Sequence, residues 1–103
     1  MVQIKWLKSA KTDLKEIYDF ISLDSKRYAR FQIEKIQNKT EILKTGNVIG
    51  KKVSEIDDEK IREIFEGNYR IIYRMVSVNE IHILLIHHGA KDLLKKMDRS
   101  KKV

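Results

Sequence analysis

The chain has no cysteine, no proline and only four glycines. Without cysteine there can be no disulfide, no thiolate nucleophile and no Cys-ligated zinc. Three histidines alone make a poor metal set. His87 and His88 are adjacent, so on a strand they point to opposite faces; His82 and His88 would lie ~20 Å apart at ~3.3 Å per residue. No Gly-rich phosphate loop and no serine-nucleophile motif occurs. No apolar run approaches the ~20 residues of a membrane span. No secretory signal is visible, because the N-terminus reads as a strand. These absences point to a cytoplasmic protein with no cofactor, no metal and no membrane partner.

What is present is charge. Lysine and arginine total 22 against 15 acids, a net charge of +7, and charged residues make up 36% of the chain. The excess is spread along the sequence, with a local maximum after Gly89. A basic surface suits nucleic acid, an acidic protein segment or anionic lipid, although solubility alone also accounts for it. At 103 residues the chain has the length of one domain with one core. That domain is expected to span residues 1–103, with a basic tail from about residue 95.

The hydrophobic pattern changes period along the chain. "VQIKWL" alternates, placing Val2, Ile4 and Trp6 on one face of a strand. "SAKTDLKEIYDFISLD" has Ala10, Leu14, Ile17, Tyr18 and Ile21 at helical spacing, with Ser9 as a candidate N-cap. Ser25 can cap a second helix, whose stripe is Ala29, Ile33, Ile36 and Leu43 and whose stop is Gly46. Almost nothing joins the two, so residues 9–44 should form a helical hairpin. Residues 46–58 read as a loop. Strands follow at about 60–66, 69–77 and 80–88, and Gly67-Asn68 is a good two-residue turn because both residues tolerate positive φ. Residues 90–98 read as a short helix or a frayed end. The fold class is therefore α+β. The expected order is strand–helix–helix–three strands, with an antiparallel sheet and the hairpin packed on one face.

The turn sets the register of "IREIFEGNYRIIYRM". Tyr69, Ile71, Tyr73 and Met75 share one face, which should meet the helices. Arg70, Ile72, Arg74 and Val76 share the other, which should be open to solvent as a basic surface. Glu63 lies on that second face, within reach of Arg70 or Arg74 for a cross-strand pair.

These residues resemble the RelE/ParE superfamily of bacterial toxins from toxin–antitoxin pairs. "SAKTDLKEIYDFIS" is similar to the first helix of the ParE branch, with its A-x-x-D-L-x-x-I-x-x-Y/F-I pattern. "GNYRIIYR" resembles the signature third strand, where an arginine follows a tyrosine. "ILLIHHGAKDL" resembles the end of the last strand, where the ParE branch tends to read H-G-x-R/K-D. The resemblance implies a toxin that arrests growth until a cognate antitoxin wraps it. An acidic and apolar antitoxin segment should cover either the basic face or the helical hairpin.

The superfamily implies two mechanisms. RelE-type toxins cleave messenger RNA on the ribosome, and ParE-type toxins poison DNA gyrase without known catalysis of their own. The paired lysines of the RelE second strand are Ile61 and Glu63 here. The arginine of the third strand is kept as Arg70, that after the last strand becomes Lys91, and a later tyrosine becomes Met97. A nuclease needs cations aimed at developing phosphorane charge, so these changes favour ParE. The target-binding residues are then Arg70, Arg74, His87 and Lys91. The alternative is a nuclease that resembles YoeB, in which Glu55 is the base, Arg70 holds the phosphate and His88 (or His87) is the acid. A third possibility is a binding module of the same fold that has lost toxicity.

Overall fold

The structure, a computed structural model of the chain, describes residues 1–89, 93, 94, 96 and 97. Strand β1 (Gln3–Trp6) leads into α1 (Lys8–Ser22) and α2 (Lys26–Glu41), followed by one short 3-10 turn, Ile42–Thr45. Strands β2 (Lys51–Lys52), β3 (Ile61–Glu66), β4 (Tyr69–Ser77) and β5 (Glu80–His88) follow. The sheet order is β1-β5-β4-β3-β2.

Two expectations about the sheet need correction. It is mixed, because β1 runs parallel to β5 while the other pairs are antiparallel. The helical hairpin supplies the crossover that a parallel pair requires. The reason for the placement is burial. Strand β5 is rich in isoleucine and leucine, and β1 covers one of its edges while β4 covers the other. The second correction concerns the loop after Gly46, which contains β2. Lys51 and Lys52 pair with Glu63 and Arg62, forming a two-residue edge strand. A short, lysine-bearing edge discourages pairing with another chain.

The helices form where the period predicts them, with one difference at the start. Ser25 caps α2, its side chain accepting from the Tyr28 amide at 3.1 Å. Gly46 closes the 3-10 turn in the left-handed region, at φ 76°. Ser9, however, does not cap α1. The helix begins two residues earlier, with Leu7 at the cap position. The Ser9 hydroxyl instead donates to the Leu84 carbonyl at 2.5 Å. That carbonyl lies beyond the last pairing between β1 and β5, at Trp6 and Ile83, so no strand neighbour is there to satisfy it. In the β3–β4 turn, Gly67 has φ 58° and Asn68 keeps negative φ. Only the first central position is left-handed, the pattern of a type II′ turn rather than I′.

The helix-facing side of the sheet agrees with the expected register. Ile71 and Tyr73 are fully buried with Ile64, Ile81, Ile83 and Ile86, under Ala10 and Ile36, while Tyr69 and Met75 pack at the margin. Each fully buried isoleucine contributes about 1.5–3 kcal/mol through the apolar area it removes from water. Tyr73 resolves its one polar atom by accepting from the Gly50 amide at 2.6 Å.

The other side of the sheet is not open. A second core forms there from Val53, Ile61, Ile72, Leu85 and Leu93, with Ile56, Leu84 and Met97 at its edge. Val53 and Ile56 come from the segment between β2 and β3, which folds across the sheet. The expectation of a solvated basic face fails for this reason. Ile72 and Leu85 point to this side of the sheet, and the apolar cover removes them from water.

Candidate functional site

Arg70 is the second residue of β4. Its backbone register sets it between Phe65 of β3 and His87 of β5. The side chain lies at the end of the second core and is buried, with 9% of the residue exposed. The expected solvent-facing arginine is therefore an interior one. A buried guanidinium is tolerated only with its charge and donors satisfied. Its Nε donates to Glu63 Oε1 at 2.6 Å. Its Nη1 and Nη2 donate to the two carboxylate oxygens of Glu55 at 2.8 and 2.9 Å. This is the planar fork-to-fork geometry that arginine makes and lysine cannot.

The two glutamates differ in setting. Glu63 reaches Arg70 diagonally across the β3–β4 pair, and its side chain is 3% exposed. Glu55 descends from the covering loop, and its side chain is 29% exposed. The hydrogen bonds from Arg70 hold the Glu55 carboxyl down at about 2, well below its ordinary range. The same bonds, those from Glu55 first and Glu63 second, raise Arg70 above its already high value. The cluster thus fastens the loop onto the sheet.

The remaining candidates are dispersed. His87 is buried on the same face as Arg70, as its cross-strand neighbour. His88 is on the helix face and exposed, its ring 5.0 Å from that of Tyr69. Glu55 and Arg70 therefore meet, and His88 stands on the other side of the sheet from them. Arg74 is about half exposed, and its Nη2 donates to Asp58 at 3.2 Å. Lys91 lies outside the described residues. Among the described residues, no cluster of three or more His, Asp or Glu is placed to hold a metal ion. No helix among them is long and apolar enough to cross a membrane.

One functional-looking group went unseen in the sequence. Asp13 of α1 is 8% exposed. Its Oδ2 accepts from the Ile86 amide at 2.9 Å, and its Oδ1 faces Lys96 Nζ at 3.2 Å. Lys96 also donates to the Ile86 carbonyl at 2.9 Å. Strand β1 stops alongside Ile83, so the next stretch of β5 has no strand on that side. Ser9, Asp13 and Lys96 satisfy its backbone instead. Burial raises the Asp13 pKa, against the lowering effect of the Ile86 amide and of Lys96. The signal was available in the sequence, since Asp13 falls three residues after Ala10 and four before Ile17, at the border of the apolar stripe of α1. Asp13 also borders a cleft of about 260 Å³ under the tip of the hairpin, lined by Ile17, Phe20, Tyr69 and His88 among others.

The order of elements, the buried arginine of β4 and the loop that covers it now stand beside known proteins. Residues 4–93 match the family model described as the ParE toxin of the type II toxin–antitoxin system parDE. The chain belongs to the ParE family. Its structure is similar to a solved one titled "Chromosomal ParDE TA system from P. aeruginosa", with a TM-score of 0.70 and 23% sequence identity. The superposition covers 86% of this chain and 97% of the other, and at that identity it shows the shared fold. No curated protein sequence matches. This ParE chain is accordingly the toxin half of a type II toxin–antitoxin pair, and a cognate antitoxin is its partner.

Proposed function

We propose that this ParE chain acts in the cytoplasm by binding and trapping DNA gyrase, and that its antitoxin silences it by covering its binding surface. The observation that carries the reading is the state of Arg70. Three of its nitrogens are already bound to carboxylates. A ribonuclease would need this guanidinium aimed at a phosphate. Glu63, which stands where RelE-type toxins carry a cation, adds a negative charge beside it instead. In this reading Arg70 is a scaffold residue, and target contacts come from exposed side chains such as Arg74. Of the two surfaces open to the antitoxin in the sequence reading, the arginine face is covered around Arg70 and exposed only towards Arg74 and Val76, which favours the helical hairpin.

The competing nuclease reading draws on the contact between Glu55 and Arg70. It is disfavoured because a carboxylate held near 2 is a weak base; of its two candidate acids, His88 lies on the opposite face of the sheet, and His87, the cross-strand neighbour of Arg70, is buried. The test is induction in cells, reading gyrase–DNA cleavage complexes and messenger cleavage side by side. Glu55→Ala and His88→Ala should keep toxicity and gyrase complexes. Codon-positioned messenger cuts that disappear in these variants, with gyrase unaffected, would overturn the proposal.

A further inference from the structure

Beyond Ile83 the edge of β5 has no strand beside it, and α1 stands in for one. Ser9 and Asp13 are one helical turn apart, a rise of ~6 Å. Leu84 and Ile86 are two strand residues apart, a rise of ~6.6 Å. The spacings match, so the Ser9 hydroxyl reaches the Leu84 carbonyl while the Asp13 carboxylate reaches the Ile86 amide. The Ile86 carbonyl takes its donor from elsewhere, from Lys96 at 2.9 Å.

Lys96 belongs to a helical stretch that is anchored on the other side of the sheet. Leu93 is 1% exposed within the second core, and Met97 packs at its margin. These two residues are one turn apart and share a face. Lys96 lies off that face, and its Nζ reaches Asp13 Oδ1 at 3.2 Å. The segment therefore crosses the edge of β5, with apolar anchors on one side and a polar clasp to α1 on the other. Breaking the clasp strands a carboxylate whose side chain is 10% exposed. Short segments held by few buried groups open at a lower free energy than core strands.

We infer that the segment bearing Leu93, Lys96 and Met97 is a strap that opens on its own while the rest of the fold stands, and that the Asp13–Lys96 clasp sets the balance between its closed and open forms. Opening uncovers Ile72 and Leu85 of the second core together with the Ile86 carbonyl. The open form thus presents an apolar surface beside a bare strand edge. The inference does not depend on which target the toxin reaches.

The chain has no cysteine, so single introduced thiols report opening without background. Leu93→Cys places one on the buried side of the strap. Ile71→Cys places one in the main core, where Ile71 is fully buried. Labelling of the purified toxin with dithiobis(nitrobenzoate) at neutral pH follows the two openings separately, and circular dichroism verifies that each variant is folded. Below the unfolding midpoint, Leu93→Cys labelling should respond weakly to urea, because strap opening exposes little surface, while Ile71→Cys labelling should accelerate steeply. Adding Lys96→Met, which keeps the aliphatic stem and removes the ammonium, should speed Leu93→Cys labelling about 10- to 100-fold, the range for stranding buried polar partners. Asp13→Asn should act in the same direction. The two changes together should be no faster than the faster single one, because both break the same clasp. Equal urea slopes for the two thiols would show that the segment opens only with the whole fold, and would overturn the inference. So would Leu93→Cys labelling that is indifferent to Lys96→Met, or a double variant whose effect is the product of the two single effects.

Discussion

Truncating Arg70 should destabilise the fold far more than truncating its outer partner. Arg70→Ala leaves Glu63, with 3% of its side chain exposed, as an unpaired carboxylate inside the sheet. Removing one partner of a buried ion pair costs about 3–5 kcal/mol, because the survivor keeps its desolvation penalty. Glu63→Ala should cost a similar amount, though Glu55 can still hold Arg70. Glu55→Ala removes a partner that reaches water, and its cost should be only about 1 kcal/mol. Arg70→Lys keeps the charge and loses the fork, so it should fall between these limits. Urea unfolding at neutral pH measures all four. The double change Arg70→Met with Glu63→Leu is a further check. It removes both charges, so it should be milder than either single truncation. An Arg70→Ala loss no larger than that of Glu55→Ala would refute the interior role of the pair. The functional corollary is that Arg70→Ala loses toxicity in proportion to its loss of folded protein.

Other perturbations have equally definite outcomes. Asp13→Ala strips the Ile86 amide of its acceptor and should cost about 1–3 kcal/mol in the same assay. Asp13→Asn, which retains an acceptor oxygen, should cost less; equal losses would show that the Ile86 contact is not what matters. At Gly50 an added Cβ would meet the Glu63 carbonyl oxygen at 2.3 Å and the Tyr73 hydroxyl at 2.8 Å. Gly50→Ala must therefore move backbone and should cost about 1–3 kcal/mol, and a melting temperature equal to wild type would show that the loop yields freely. The pH dependence of Glu55 follows from its folded pKa of about 2, below the ordinary 4.5. A lowered carboxyl pKa gives stability that is complete above 4.5 and lost as pH falls through about 2. The stability gap between wild type and Glu55→Gln should thus be constant from pH 7 to about 4.5 and close below it; a gap that closes by pH 6 would contradict the pairing.

The features legible in the sequence were those set by period and punctuation. The three long strands lie within a residue of their expected bounds, because "IREIFE", "YRIIYRMVS" and the turn between them alternate without ambiguity. Ser25 and Gly46 act through local chemistry, which the sequence shows directly. What could not be read was long-range. The parallel pairing of β1 depends on which edge of β5 is left uncovered. The burial of Arg70 depends on a loop crossing the sheet, and Val53 and Ile56 gave no periodic sign of doing so. The apolar strip in "IHILLIHH" did hold a clue. Its alternation slips at Leu84 and Leu85, where the register against β4 shifts between Ile72 and Tyr73. The bulge keeps Ile81, Ile83 and Ile86 together on the helix face while Leu85 serves the second core. At the candidate site, the sequence pointed to Glu55 as a base and Arg70 as a phosphate-holding cation. Only the geometry shows them bound to each other.

The central claim is that this toxin acts on gyrase by binding, and the most direct measurement is a supercoiling reaction with purified gyrase, relaxed plasmid and purified toxin. The account predicts that toxin inhibits supercoiling and accumulates linear plasmid on protein denaturation, that Glu55→Ala does the same, and that added antitoxin restores activity. Unimpaired supercoiling at saturating toxin, with messenger cut on purified ribosomes by the same preparation, would contradict it.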